Sequence, residues 1–408
     1  MGGPLRQIVV VCESAELVGG AEQVAISEAI ELSTRGYQVI FFSSGESMCE
    51  ELKSSKVRVV QCESSSFFEE PSKITKVKKL IGNSVSERSF ENLLSQLDVS
   101  ETIIHFHTFS LKLSPGVLRV AQRLGFKTIL HCHDYSSVCP TALLYDHRKG
   151  NVCTLKPLSF QCFSTECQGV EWKYKFPKYT SLLWAKNALY NLDALIHVSE
   201  LERDTLLSHL STRGQNFLLT NPIGSDFRPT VRVKAETNNT FLVVSRLTKE
   251  KGVEDFLTAV PTGIVVGDGP ELQPLKAKFH NAKFIGWKTE AEVSQLLDQA
   301  RALIVPSRWL ETYGLNVIRA LSKGIPVIAS EHVGACKHIV NAVNGFTYNP
   351  QDLNRLVEII DKLGDDSTVQ KLSTAAFELS AESIQTNQRH VDELVEIYEK
   401  VLTGVQAV

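Results

Sequence analysis

Glu311 and Arg319 stand eight residues apart in the stretch "PSRWLETYGLNVIRALSKGIPVIAS" at 306–330, an acid and a base on either side of a helix start. A carboxylate such as Glu311 accepts hydrogen bonds from hydroxyls or sits beside a developing cation. Arg319 has five donors and no acceptor, so its charge suits an anion; its competing reading is a helix side chain turned to solvent or to a neighbouring acid. Arg246 directly follows the apolar run "FLVVS", with Lys251 five residues on. Two cations on one loop can neutralise a diphosphate, Arg as a fork and Lys as a point charge, whereas the plain alternative pairs Lys249, Glu250 and Lys251 among themselves. Gly19 and Gly20 precede a helix-like run, where free amides and the helix dipole favour an anion, unless glycine serves only a tight turn. "HFH" at 105–107 and "HCHD" at 131–134 close two strand-like runs. His107 and His133 are the functional candidates; His105 and His131, read as alternating with them, are expected to be buried and satisfied by backbone carbonyls.

The elements that must carry these residues are short apolar runs separated by helix-like stretches: "IVVV", "VIFF", "VRVV", "TIIHFH", "TILHC" and "ALIHVS" in the first half. The pattern restarts after "NPIGSDF" and "KAETNNT" with "FLVVS", "GIVVG", "KFIG", "ALIVPS" and "PVIAS". Continuous β-branched runs alternating with helices indicate an α/β fold with parallel sheets covered on both faces. Two Rossmann-like domains facing each other across a cleft are expected: 1–222, carrying an insertion at about 135–170, and 223–387. The helix-like 388–408 is expected to return to the first domain. Loops at the carboxyl ends of the strands then carry the chemistry. A chain of 408 residues, 43% of them hydrophobic, supports two such cores. Its net charge of -3 argues against nucleic acid as a partner. No stretch has the length and apolarity of a membrane span, and the start lacks a signal-peptide core, so a cytoplasmic protein is expected.

Cys139, Cys153, Cys162 and Cys167 crowd the insertion, which Gly and Pro punctuate. A structural zinc ion on four sulfurs would organise such a segment, although the spacing lacks a tight C-x2-C; reduced thiols and a redox-sensitive disulfide stay open. Basic and aromatic or aliphatic residues interleave at 73–82 and 171–190. Both stretches could rest on an anionic membrane surface; a solvated amphipathic helix is the other reading, and the preferred one for 73–82.

Taken in order, Gly19-Gly20-Ala21-Glu22, Arg246 with Lys251 in "SRLTKEKG", "GDGPE" at 267–271, "FIGW", the 305–330 segment and "NGFTYNP" resemble family-4 retaining glycosyltransferases of the GT-B fold. The resemblance is dense over 241–352 and thinner before it. It implies transfer of a sugar, with retention, from a nucleotide-sugar donor to a glycan or lipid-linked acceptor, with no cofactor required for catalysis. It assigns donor binding to Gly19, Gly20, Arg246, Lys251, Gly314, Leu315 and the Arg319 position, and catalytic roles to Glu311 and His133; His107, at the close of its own strand-like run, is the further catalytic candidate. Two departures stand out: Arg319 replaces the second acid of the E-x7-E element, and "GACKH" at 334–338 replaces Gly-Gly-x-x-Glu. They motivate an alternative, a catalytically impaired nucleotide-binding regulatory protein. An epimerase or a phosphorylase ranks below both.

Overall fold

The computed structural model describes residues 4–62, 82–167, 172–224, 227 and 229–404. The apolar runs of the first half become β1 (Gln7–Val11), β2 (Gln38–Ser44), β3 (Arg58–Cys62), β4 (Thr102–Phe106) and β5 (Lys127–Cys132). A hairpin of β6 (Tyr145–Asp146) and β7 (Asn151–Val152) precedes β8 (Ala194–His197) and β9 (Gln215–Leu218). The first sheet has the order β3-β2-β1-β4-β5-β8-β9, every pair parallel. Its central strands are buried along nearly their whole length, which is why they read as continuous apolar runs.

The second sheet contains β10 (Thr240–Val244), β11 (Ile264–Val266), β12 (Lys283–Phe284), β13 (Ala300–Val305), β14 (Val327–Ser330) and β15 (Gly345–Tyr348). Its order is β12-β11-β10-β13-β14-β15, again all parallel. Because β1, β4 and β5 are neighbours, the loops leaving their carboxyl ends gather at one end of the first sheet. The loops after β10, β13 and β14 do the same in the second.

Contacts divide the chain into two units, Met1–Leu143 with Thr154–Asn221 and Asn387–Val408, and Leu144–Cys153 with Pro222–Thr386. The β6–β7 hairpin thus groups with the second unit, whereas the sequence reading puts the whole insertion in the first domain. In the first unit the helix Asn387–Thr403 buries Val391, Leu394, Ile397, Tyr398 and Val401 in one core with Ala25, Ala29 and Leu32 of the helix Gly20–Thr34. Arg35 fastens the pair from outside, through Asp392 at 2.5 Å and the Gln388 carbonyl at 2.6 Å. Burying each large apolar side chain contributes about 1.5–3 kcal/mol, so this last helix belongs to the first core.

Candidate functional site

In the second unit the loop after β13 is built around Glu311. Its Oε1 lies 3.0 Å from Lys251 Nζ, and its Oε2 accepts a hydrogen bond from Ser307 Oγ. The Lys251 ammonium also stands 5.1 Å from the Trp309 ring centroid, within cation–π range. Gly252 makes this meeting of loops feasible: its φ is +67°, and a Cβ there would lie 2.0 Å from the Pro306 carbonyl oxygen, so only glycine lets the Lys251 turn approach the Glu311 loop. Arg308 braces the same loop, its Nε donating to Asp255 Oδ2 at 2.6 Å and its Nη2 to Oδ1; that carboxylate holds the guanidinium pKa above its usual value. Beyond the loop, Gly314 (φ +97°) precedes the helix Leu315–Ser322, which Asn316 ties to β10 by donating to the Val244 carbonyl at 3.0 Å.

Lys249, Glu250 and Lys251 do not neutralise one another. Glu250 is buried, accepts from Thr248 Oγ1 at 2.6 Å and lies 3.8 Å from His147 Nδ1, while Lys251 turns to Glu311. Arg246 is exposed and makes no ion pair among the described residues. Arg319 is 8% exposed; its guanidinium is paired with Glu290 and lies 4.5 Å from the Phe227 ring centroid. Burial lowers its pKa and Glu290 opposes that shift. The charge that the sequence offers to a bound anion is met by Glu290, the neighbouring-acid alternative. In the 334–338 turn, the Gly334 and Ala335 amides donate to the carbonyls of Glu311 and Tyr313 at 2.9 and 2.7 Å, so the backbone of this turn buttresses the Glu311 loop.

In the first unit Gly19 is the extended N-cap of the helix Gly20–Thr34, and Gly20 is exposed at its start. Gly19 has φ −157°, so it is not needed for a left-handed turn; a Cβ there would lie 3.0 Å from Glu22 Oε2. The four histidines correct the sequence reading. His105 and His107, like His131 and His133, are two residues apart and therefore share a face of the sheet. Their rings stack as one group, with centroids 4.3 Å apart for His105 and His107 and 4.4 Å for His131 and His133. His105 and His131 are fully buried, but a phenol and a carboxylate meet them instead of backbone carbonyls: Tyr398 Oη is 2.7 Å from His105 Nδ1, and Glu28 Oε1 is 3.4 Å from His131 Nδ1. His107 is 4% exposed, with Nδ1 2.9 Å from His133 Nε2 and Nε2 3.3 Å from Glu28 Oε2. His133 is half-buried, and burial followed by His107 pushes its pKa down to about 3, so it is neutral at pH 7. Beside it, burial raises the pKa values of Asp134 and Glu22, neither a sequence candidate for chemistry. Asp134 opens onto a cavity of about 90 Å³, walled by Phe109, Leu111, Leu182 and Leu189 and by Lys178.

All four insertion cysteines carry free thiols. Cys153 belongs to the second unit, and Cys139, Cys162 and Cys167 of the first do not converge on one ligand point among the described residues. Lys175, from the basic stretch at 171–190, is buried and donates to the carbonyls of Cys162 and Thr165. The other basic stretch, 73–82, lies outside the described residues except for Gly82. No helix among the described residues is long and apolar enough to cross a membrane.

Residues 226–379 match the family described as glycosyl transferases group 1. A protein of Klebsiella pneumoniae, described as an uncharacterized 41.2 kDa protein in the cps region, is 26% identical over 215 residues, 49% of this chain and 59% of that one. The chain therefore spans little more than half of that relative's length. Among solved structures, sucrose-phosphate synthase from Thermosynechococcus elongatus has a TM-score of 0.73 at 17% identity, over 98% of this chain and 100% of the other. Anabaena Alr3699/HepE in complex with UDP and glucose has a TM-score of 0.66 at 18% identity, over 96% and 99%. With its two parallel α/β sheets the chain has the GT-B fold, and it carries a glycosyl transferases group 1 domain.

Proposed function

We propose that the chain is a retaining glycosyltransferase that moves a sugar from a nucleoside-diphosphate sugar to a hydroxyl of a glycan or lipid-linked acceptor. The observation that carries this reading is the Glu311 carboxylate, fixed between Lys251 and Ser307 inside the group 1 domain, on a loop packed against the one that bears Arg246. The UDP and glucose held by Alr3699/HepE support a nucleotide-sugar donor. As the bond from the anomeric carbon to the phosphate oxygen breaks, negative charge grows on the departing diphosphate, and Arg246 and Lys251 oppose it there. Glu311 accepts from sugar hydroxyls or stabilises positive charge on the ring. These two cations supply the charge stabilisation that transfer needs, so no cofactor is assigned to that step.

The first unit's part is argued from its own geometry. Neutral His133 serves a hydroxyl, and His107, its Nδ1 2.9 Å from His133 Nε2, positions it. The cavity beyond Asp134 has a polar end and apolar walls, which suits an amphiphilic acceptor. Leu183, Lys186 and Tyr190 on the exposed side of the helix Trp172–Tyr190 would meet the membrane surface such an acceptor comes from. The insertion cysteines, as zinc ligands or as thiols, take no part in transfer. The non-catalytic alternative was motivated by Arg319, whose pairing with Glu290 leaves Glu311 untouched.

The test is product stereochemistry. Incubated with a panel of nucleotide sugars and hydroxyl acceptors, the chain is expected to form a glycoside whose anomeric proton coupling matches the donor's configuration. An inverted product would overturn retention, and binding without any product would overturn the enzyme reading.

A further inference from the structure

The helix Gly20–Thr34 turns Val24, Ala25, Ala29 and Leu32 into the core, and on that same face it carries a charge, Glu28, 1% exposed. Five polar atoms around it are buried without a hydrogen-bond partner in the protein: Glu28 Oε2, His105 Nε2, His107 Nε2, and both ring nitrogens of His131. Leaving a buried polar atom unpaired forfeits its hydration without return, so a cluster of five calls for a common partner. Every one of these atoms belongs to a residue type that ligates metals, and one ligand atom from each of the four residues fits within a sphere of mutual separations no larger than 4.8 Å. Glu28 Oε2 stands 3.3 Å from His107 Nε2 and 3.5 Å from His105 Nδ1, and Glu28 Oε1 stands 3.4 Å from His131 Nδ1. Ligands at about 2.0–2.1 Å from a tetrahedral zinc ion are about 3.3–3.4 Å apart, so the Glu28–imidazole separations are already near ligand spacing and the wider ones, up to 4.8 Å, close as an ion binds.

We propose that Glu28, His105, His107 and His131 form a binding site for a divalent transition-metal ion of the zinc class. Three imidazoles and one carboxylate are the donor set such an ion takes, in contrast to the all-oxygen sets of calcium and magnesium. The groups around the four ligands are those that orient ligands in metal sites. His390 Nε2 lies 2.8 Å from Glu28 Oε1 and its Nδ1 2.9 Å from the Thr220 carbonyl oxygen, while His133 Nε2 meets the far nitrogen of His107 at 2.9 Å. His105 ligates through Nε2 after a ring flip, or through Nδ1 with the Tyr398 phenol turned aside. His107 and half-buried His133 form the side from which an ion enters. The other buried group of this kind, Cys132, His197 and Glu202, has only Glu202 Oε1 unpartnered, because both nitrogens of His197 are used, by Glu202 and by Asn216, each at 3.0 Å.

The site is independent of the transferase reading, because its test needs no sugar or nucleotide. The full chain, purified without chelator, is analysed for metal, then stripped and titrated with zinc and with cobalt(II). The expected result is about one equivalent of metal bound, a rise in Tm on adding zinc to stripped protein, and a cobalt spectrum with visible ligand-field bands but no thiolate charge-transfer band. Glu28→Gln abolishes these signals, and His390→Gln, which keeps all four ligands, weakens affinity by about 10- to 100-fold. Stripped wild type that neither binds zinc nor gains Tm overturns the proposal even if the variants fail to fold. A thiolate band assigns the metal to the cysteines and also overturns it, as does unchanged binding in folded Glu28→Gln.

Discussion

Arg319 looks like an offered cation when read alone, and its partner shows why spacing misled. The Glu290 carboxylate comes from the start of another helix, 29 residues earlier, and no local pattern joins the two. Glu311 and Lys251 were legible as chemistry because both follow apolar strands. Ser307, which fixes Glu311, and Asp255, which clamps Arg308, were not, since their roles depend on contacts between loops. The Arg319–Glu290 pair is argued at this scale. Arg319→Glu sets two carboxylates together at a site where Arg319 is 90% buried in side chain, and is expected to cost about 2–4 kcal/mol, less than a fully buried pair because Glu290 remains 39% exposed. Combining it with Glu290→Arg is expected to recover about half of that loss in urea unfolding. Equal stability of Arg319→Glu and wild type would show that the pair does not hold the helix.

Elements explain the remaining sequence misses. The strands β1, β4, β5, β10, β13 and β14 were readable because parallel strands covered on both faces are continuous apolar runs. The reading passed over β9, whose exposure alternates at the sheet edge, the four-residue β15, and the two-residue strands of the β6–β7 hairpin, too short for any periodicity. Glu28 and His390 were overlooked too, although each is a polar residue on the apolar face of an amphipathic helix, a signal within reach. The 334–338 turn supports a pH prediction. Burial, then the Lys337 charge, pushes the His338 pKa down to about 4 from 6.5. The folded state therefore resists a proton that the unfolded chain accepts. Stability is unaffected above pH 6.5 and falls as pH drops from there towards 4. The loss is expected to be about 1–3 kcal/mol between pH 7 and pH 4, absent in His338→Asn, measured by urea unfolding across that range. Identical pH profiles for the two proteins would contradict it.

At the scale of the molecule, the last helix completes the first unit's core and delivers His390 and Tyr398 to the Glu28 cluster, so chain segments far apart in sequence build one polar centre. Composition and net charge argue against nucleic acid as a partner but do not identify an acceptor. The central claim is that this chain turns over a nucleotide sugar through Glu311. The most direct measurement is the rate of nucleoside-diphosphate release from a bound sugar nucleotide, UDP-glucose first, without acceptor, for wild type and Glu311→Ala. Slow release by wild type, falling about 100-fold or more in Glu311→Ala while the nucleotide still binds, is the predicted result. Undiminished release by Glu311→Ala, or none by wild type from any donor it binds, would contradict the account.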